Sequence, residues 1–217
     1  MNLPNLLTLL RIFFVPLLVY AMVQEDTRFF HLVGLEFARN LVALSIFLAA
    51  AATDLIDGYL ARRWGQVTTI GTLLDPIADK LLISAALIAL VQVRAIPGYL
   101  AILIIGREFA VSGLRSIAAA EGYTIRASDL GKTKMICQVA AICCVMLSLS
   151  HPRIHNLATG LLWLVVFFAL ASAVQYFARF WKQIDERVKQ RRRSELLLEE
   201  KRRLEARQRG SGVGVRT

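Results

Sequence analysis

Long apolar runs constrain the fold of this chain more than any other feature. Six such runs follow one another between short polar links, and about 20 apolar residues in a helix are enough to cross a bilayer. Hydrophobic residues make up 56% of the 217 residues, and the mean hydropathy is +0.54. The composition therefore predicts an all-α polytopic membrane protein with six transmembrane helices. A soluble all-α protein is the alternative interpretation.

The predicted spans alternate with links that differ in charge. The six spans cover about 4–23, 40–60, 73–93, 99–119, 131–149 and 157–180. Lys and Arg gather in and beside the links at 62–69 and 121–130 and in the C-terminal tail, which places these segments and both termini in the cytoplasm. We predict a membrane domain over 1–181 with a polar cavity facing the cytoplasm. A basic, partly helical cytoplasmic tail with a disordered end follows over 182–217.

The tail carries most of the excess positive charge. From Lys182 onward, twelve Lys or Arg stand against six Asp or Glu, so that the tail supplies +6 of the net charge of +10. Nucleic-acid binding would account for a basic tail, but a tail beside membrane spans is explained more simply by the positive-inside rule. We therefore expect a lipid bilayer as partner, and no nucleic acid.

Four aspartates lie where the second predicted span ends and the third begins. Asp54 and Asp57 are three residues apart, and Asp75 and Asp79 are four apart, so each pair lies on one face of its helix. Carboxylate oxygens suit Mg²⁺ or Mn²⁺ rather than Zn²⁺. Two such ions would offset the four charges, and paired ions are a common device for displacement at phosphorus. A purely structural ion or a cation pathway would also account for acidic residues here.

Further polar residues surround this acidic stretch. Asn5, Thr8 and Arg11 recur every three residues and share one side of the first helix. Small residues leave room for a ligand beside the carboxylates, and Arg62 could hold a phosphate; the small residues are Gly58, Ala61 and Gly71. Four more cations argue against a cation pathway and favour an anionic second substrate: Arg107, Arg115, Lys132 and Lys134.

The spacing of the acidic stretch resembles the signature of the CDP-alcohol phosphotransferase family, D-x2-D-G-x2-A-R-x8-G-x3-D-x3-D. Every fixed position of that signature is present between Asp54 and Asp79, and the resemblance covers about residues 1–180. The opening Asn2–Arg11, the segment Gly106–Phe109 with Leu114-Arg115, and Gly131–Lys134 with Gln138 resemble the members that use glycerol 3-phosphate. Met135 departs from that pattern, where threonine is usual.

The resemblance implies a reaction, in which the phosphatidyl group of CDP-diacylglycerol passes to sn-glycerol 3-phosphate and gives phosphatidylglycerophosphate and CMP. It implies that Asp79 is the catalytic base, and that Asp54, Asp57, Asp75 and Asp79 hold the metal ions. Implied CDP-binding residues are Asn5, Thr8, Asp57, Gly58, Ala61, Arg62 and Gly71. Implied ligands of the acceptor phosphate are Arg107, Arg115, Lys132 and Lys134. It also implies a homodimer in a bacterial-type inner membrane.

Two other functions stay open on the sequence alone. The same chemistry could serve another acceptor, such as inositol phosphate, or phosphatidylglycerol in cardiolipin synthesis. A cation transporter is the alternative from another class, and it predicts solute flux without CMP release.

Overall fold

The computed structural model of the protein describes residues 3–24, 36–64, 69–120 and 129–211, and this part of the chain is helical without a strand. It contains six α-helices and one short 3₁₀ helix. The helices are α1 (Leu3–Val23), α2 (Glu36–Trp64), α3 (Thr69–Gln92), α4 (Gly98–Ala120), α5 (Asp129–Ser148) and α6 (His155–Ser211), and the 3₁₀ helix is Pro152–Ile154. The predicted all-α class is confirmed.

Each predicted span falls within one observed helix or departs from it by a residue at its end, and several helices are longer than predicted. Because α3 begins at Thr69, four residues before the predicted start, Pro76 lies inside the helix. Pro76 is the eighth residue of α3, beyond the first turn, where a proline would be harmless. An interior proline removes a backbone N–H donor and leaves the carbonyl four residues earlier without its helical partner.

Membrane-spanning character is clearest in two of the helices. Within the described residues, the windows Leu6–Val23 and Pro152–Glu186 are long and apolar enough to cross a bilayer, each with a mean hydropathy of 2.3. Shorter apolar helical stretches occur at Arg39–Thr53 and Met135–Ser148. Length and composition thus favour membrane spans in α1 and in the first part of α6.

The described residues fall into two compact units. The larger unit comprises those within Met1–Gly113 and Arg126–Ala173. In it α1 packs against α2 and α3, and α5 packs against the same two helices. Its core includes the fully buried Leu18, Phe47, Leu87, Leu90 and Ile142. Where such a side chain would otherwise be in contact with water, its burial in this core stabilises the packed helices by about 1.5–3 kcal/mol.

The smaller unit comprises the described residues within Leu114–Ile125 and Val174–Thr217. Its helical C-terminal segment carries an exposed ion pair in which Lys189 Nζ donates to Asp185 Oδ2 at 2.6 Å. That hydrogen bond, together with the attraction of the carboxylate, raises the pKa of Lys189. Helix α6 runs without interruption across residue 181, so the predicted boundary between membrane domain and tail stays a prediction. The predicted disordered end beyond Ser211 lies outside the described residues.

A Schellman motif ends α3 at an unusual residue. Ala95 N–H donates to the carbonyl of Leu90 and Arg94 N–H to that of Val91, both at 2.9 Å, which is the paired pattern of this cap. Arg94 has a φ of +57°, the left-handed conformation that glycine usually supplies at this position. The side chain of Arg94 is therefore held at a cost in backbone energy.

We expect Arg94→Gly to be more stable than Arg94→Ala. Both variants lose the side chain, but alanine keeps the Cβ that disfavours the left-handed conformation, which costs about 1 kcal/mol. For a chain of this length that difference corresponds to about 2–4 °C in the unfolding midpoint. Thermal unfolding of both variants in the same detergent measures it. Equal midpoints would show that the cap carries no strain.

Candidate functional site

Two of the four aspartates project from one face of α3. Asp75 and Asp79 are one turn apart, about 6 Å along the helix axis, and both side chains are half-buried. Two carboxylates at this spacing would repel each other in a poorly solvated place unless cations or hydrogen-bond donors stabilise them. The neighbouring residues therefore determine whether this face of α3 stabilises the two carboxylates by itself or needs a bound cation.

Thr8 supplies a donor to the first of these carboxylates. Its Oγ1 donates a hydrogen bond to Asp75 Oδ1 at 2.7 Å, and Thr8 is only 1% exposed. The bond joins residues that are 67 positions apart, so it fixes the polar side of α1 against the acidic face of α3. A short bond to a carboxylate oxygen also fixes the direction of the other oxygen, Oδ2.

Arg11 lies one turn further along the same side of α1 and is 0% exposed. Helices α1 and α3 run parallel, because Thr8 meets Asp75 near their starts while Met22 and Gln92, near their ends, line one cleft. Arg11 is therefore at about the level of Asp79. A buried guanidinium is tolerated only where negative or polar groups compensate it. The sequence placed Arg11 on this polar side but not among the site residues.

Arg107 of α4 is held in place by hydrogen bonds within the larger unit. Its Nε and Nη2 both donate to Ser172 Oγ of α6, at 3.1 and 2.6 Å. Its Nη1 lies 3.2 Å from Glu108 Oε1, and the side chain is 9% exposed. The fork of the guanidinium is thus oriented by Ser172, and its charge is partly offset by Glu108. No sequence pattern connects Ser172 with Arg107, since 65 residues separate them.

Arg115 makes its contacts within the smaller unit. Its Nη2 donates to the hydroxyl of Tyr176, and its guanidinium carbon lies 4.9 Å from the centroid of the Tyr176 ring. The buried ring and hydroxyl therefore hold the arginine by a cation–π contact and a hydrogen bond. Like Ser172, Tyr176 carried no signal in the sequence.

The other predicted site residues have their backbones in α1, α2, α3 and α5, but their side chains lie outside the described part of the structure. These residues are Asn5, Asp54, Asp57, Gly58, Ala61, Arg62, Gly71, Lys132 and Lys134. Within the described residues no group of three or more His, Cys, Asp or Glu could hold a metal ion. The described donors, Asp75, Asp79 and Thr8, offer oxygen only, and this donor set fits Mg²⁺ or Mn²⁺.

Asp79 also lines an apolar cleft of about 410 Å³ between α2, α3 and α5. Among the described lining residues it is the single charged one; the walls include Leu48, Leu82, Ile83 and Val139. Met135, the residue that departs from the resemblance, lines the same cleft. The arrangement places a carboxylate beside a space suited to a hydrocarbon chain.

Comparisons with known proteins agree with the resemblance. The family model described as CDP-alcohol phosphatidyltransferase matches residues 1–175. The chain is 40% identical over 194 residues to the CDP-diacylglycerol–glycerol-3-phosphate 3-phosphatidyltransferase of Bacillus subtilis, covering 84% of this chain and 97% of that protein. It is 35% identical over 179 residues to the protein of the same name from Rickettsia bellii, covering 81% and 93%. It is 38% identical over 183 residues to a probable phosphatidylglycerophosphate synthase of Mycobacterium tuberculosis, covering 84% and 83%.

Proposed function

The chain belongs to the CDP-alcohol phosphatidyltransferase family, and on that premise we propose that it transfers the phosphatidyl group of CDP-diacylglycerol to sn-glycerol 3-phosphate. The products are phosphatidylglycerophosphate and CMP. The observation that carries the acceptor assignment is the similarity to relatives named for glycerol 3-phosphate, which extends over 97% and 93% of their lengths. The family match by itself supports the nucleotide-linked donor and leaves the acceptor open.

Four carboxylates form the proposed divalent-metal site: Asp54, Asp57, Asp75 and Asp79. Bound Mg²⁺ or Mn²⁺ would neutralise the diphosphate of the lipid nucleotide and polarise the phosphorus that is attacked. The oxygen-only chemistry of Asp75 and Asp79 on one helical face supports this assignment. Since Thr8 donates to Asp75 Oδ1, Asp75 Oδ2 is the oxygen proposed to bind the metal.

Asp79 is the proposed general base. It would take the proton from the acceptor hydroxyl as that oxygen forms its bond to phosphorus, and the bond from phosphorus to the CMP oxygen breaks. The placement of Asp79 beside the cleft proposed for the lipid substrate supports this role, because a general base has to lie within hydrogen-bond reach of the reacting hydroxyl. The proposed nucleotide residues around it are Asn5, Thr8, Asp57, Gly58, Ala61, Arg62 and Gly71.

The apolar cleft between α2, α3 and α5 is the proposed place for an acyl chain of the lipid substrate. Its walls are aliphatic and its volume is about 410 Å³, which is enough for part of one hydrocarbon chain. The single described carboxylate in the lining would then lie at the junction between the chain and the polar headgroup. This arrangement would keep the lipid tail in an apolar environment during the reaction.

Arg107 is the proposed ligand of the acceptor phosphate in the larger unit. Two bonds to Ser172 Oγ orient its guanidinium, and a fixed fork loses less entropy when it binds a phosphate. Arg115, Lys132 and Lys134 stay predicted members of the same group. Six spans per chain, with the aspartates and both termini on the cytoplasmic side, complete the proposal; the two apolar windows support insertion in the membrane, and the basic tail supports its orientation. The homodimer is proposed from the family resemblance alone.

We expect Thr8→Val to lower turnover by about 10-fold or more, because a hydrogen bond to a charged group contributes about 1.5–3 kcal/mol. Valine keeps the shape of threonine and is easily accommodated at a buried position. Thr8→Ser is the matched control, since it keeps the donor. Steady-state rates at saturating substrate measure the effect. If Thr8→Val and Thr8→Ser have the same rate, the bond to Asp75 does not serve the reaction.

The acceptor assignment is tested by offering the purified full-length protein labelled CDP-diacylglycerol with Mg²⁺ and one acceptor at a time. Glycerol 3-phosphate, inositol phosphate, inositol, serine and phosphatidylglycerol form the panel, and mass spectrometry identifies the lipid product. We expect glycerol 3-phosphate alone to raise CMP release well above the acceptor-free rate. A larger response to another alcohol would overturn the acceptor assignment, and no CMP release in any arm would overturn the assignment as an enzyme.

A further inference from the structure

A second cleft, larger than the first, opens at the other end of the larger unit. Its volume is about 590 Å³, and it lies among the ends of α1, α3 and α5 and the start of α2. Gln92 of its lining follows Asp75 by 17 residues in the same helix, so the two are about 25 Å apart along α3. The cleft is therefore separate from the site that contains Asp75 and Asp79.

The polar lining of this cleft is cationic. Arg39 and Arg94 contribute two positive charges, Asn40 and Gln92 contribute amides, and none of the described lining residues is acidic. Two positively charged residues that line one space repel each other, and an anion between them would relieve that repulsion. The cleft thus has the electrostatics of an anion site.

The guanidinium of Arg39 has only some of its N–H donors in hydrogen bonds with the described residues. Its Nη1 donates to the backbone carbonyl of Gln24 at 3.2 Å, which anchors one side of the guanidinium. Its Nε is buried and has no hydrogen-bond partner in the described part of the chain. Because Nε is closed off from the cleft, Arg39 would meet an anion in the cleft through its terminal nitrogens.

Arg94 and Asn40 are positioned as well. Arg94 occupies the cap of α3 with a φ of +57°, where glycine would be unstrained. Asn40 Nδ2 donates to Ser150 Oγ at 3.0 Å, which orients its amide. The C-terminal ends of helices attract arginines modestly through the helix dipole. That attraction accounts for Arg94 at the end of α3, but Arg39 lies in the first turn of α2, where the helix dipole disfavours a cation.

We propose that this cleft binds a phosphate group. A guanidinium fork can donate to two oxygens of one phosphate at once, whereas a spherical anion offers only a single centre. Met22, Met146 and Leu149 add an apolar wall beside the cations, which suits the phosphodiester of an anionic phospholipid. In the topology proposed above, the cleft lies at the headgroup level of the outer leaflet. A free phosphate would offer the same oxygens without the hydrocarbon.

The test compares the full-length wild-type protein with Arg39→Gln and Arg94→Gly in a neutral detergent. Arg153→Gln is the matched control, since Arg153 is an exposed arginine of the same unit outside the cleft lining. One arm titrates phosphatidylglycerol, a second titrates phosphatidylcholine, and a third titrates inorganic phosphate. Native mass spectrometry counts retained lipid, and the unfolding midpoint reports binding of phosphate.

We expect both cleft variants to bind about tenfold more weakly than wild type, the loss typical of one charge-assisted hydrogen bond. Arg153→Gln should bind as wild type does. A difference confined to phosphatidylglycerol identifies a lipid headgroup, and a difference already present with inorganic phosphate identifies a free anion. Arg94→Gly relieves the cap and keeps the test valid if Arg39→Gln fails to fold. Equal binding by wild type and both cleft variants in all arms, or an equal loss in Arg153→Gln, would overturn the proposal.

Discussion

Asp79→Asn is expected to lower the rate of CMP release by about a thousandfold, within the range that loss of a general base produces. Asparagine has nearly the same shape as aspartate but cannot accept the proton of the attacking hydroxyl. It also removes one negative charge from the proposed metal site. Because the substitution changes little volume, the half-buried side chain should still pack beside Leu82 and Ile83. Turnover with saturating CDP-diacylglycerol and glycerol 3-phosphate measures the effect.

The control for Asp79→Asn is Asp185→Asn, the same chemical change in an exposed ion pair of the C-terminal helix. That variant should turn over as wild type does. Binding of CDP to Asp79→Asn should stay within about threefold of wild type, a difference of less than 1 kcal/mol. Near-normal turnover of Asp79→Asn would remove Asp79 from the base role. A complete loss of nucleotide binding would make it chiefly a ligand of the nucleotide site.

Arg107→Gln is expected to raise the KM for glycerol 3-phosphate by about 10- to 100-fold, because a hydrogen bond between charged groups contributes about 1.5–3 kcal/mol. The KM for CDP-diacylglycerol should change by less than about twofold, since the nucleotide is assigned to other residues. Initial rates with each substrate varied in turn separate the two constants. A merely structural arginine would affect both constants or neither.

Ser172→Ala is the companion variant for Arg107. It keeps the guanidinium charge but removes the oxygen to which Nε and Nη2 donate. We expect a smaller rise in the KM for glycerol 3-phosphate, about fivefold, because Ser172 only orients the guanidinium, whose charge the variant keeps. If the KM for CDP-diacylglycerol rises more than that for the acceptor in either variant, Arg107 belongs to the nucleotide side.

The helices of this protein were readable from the sequence because each apolar run is long and is bounded by polar residues. The ends of the helices were harder to predict from the sequence. Thr69–Thr72 has no apolar periodicity, yet it forms the first turn of α3 and places Pro76 inside the helix. Arg94 in a left-handed cap was equally hidden, since such caps are ordinarily marked by glycine.

The site was predictable where its residues are close in sequence or carry an unusual charge in an apolar segment. The pairing of Asp75 with Asp79 follows from helical spacing alone. The bond from Thr8 to Asp75 depends on the packing of α1 against α3, which no local pattern specifies. Ser172 was missed for the same reason, because a serine in an apolar helix is common and its arginine lies 65 residues away.

The stoichiometry of the reaction tests the central claim most directly. Purified protein is given CDP-diacylglycerol labelled with tritium in the cytidine and glycerol 3-phosphate labelled with carbon-14, and the two labels are followed after solvent extraction. The proposed reaction predicts one molecule of labelled CMP in the aqueous phase for each labelled glycerol 3-phosphate that enters the lipid phase, with both steps lost in Asp79→Asn. CMP release without transfer of the carbon-14 label into lipid would contradict it.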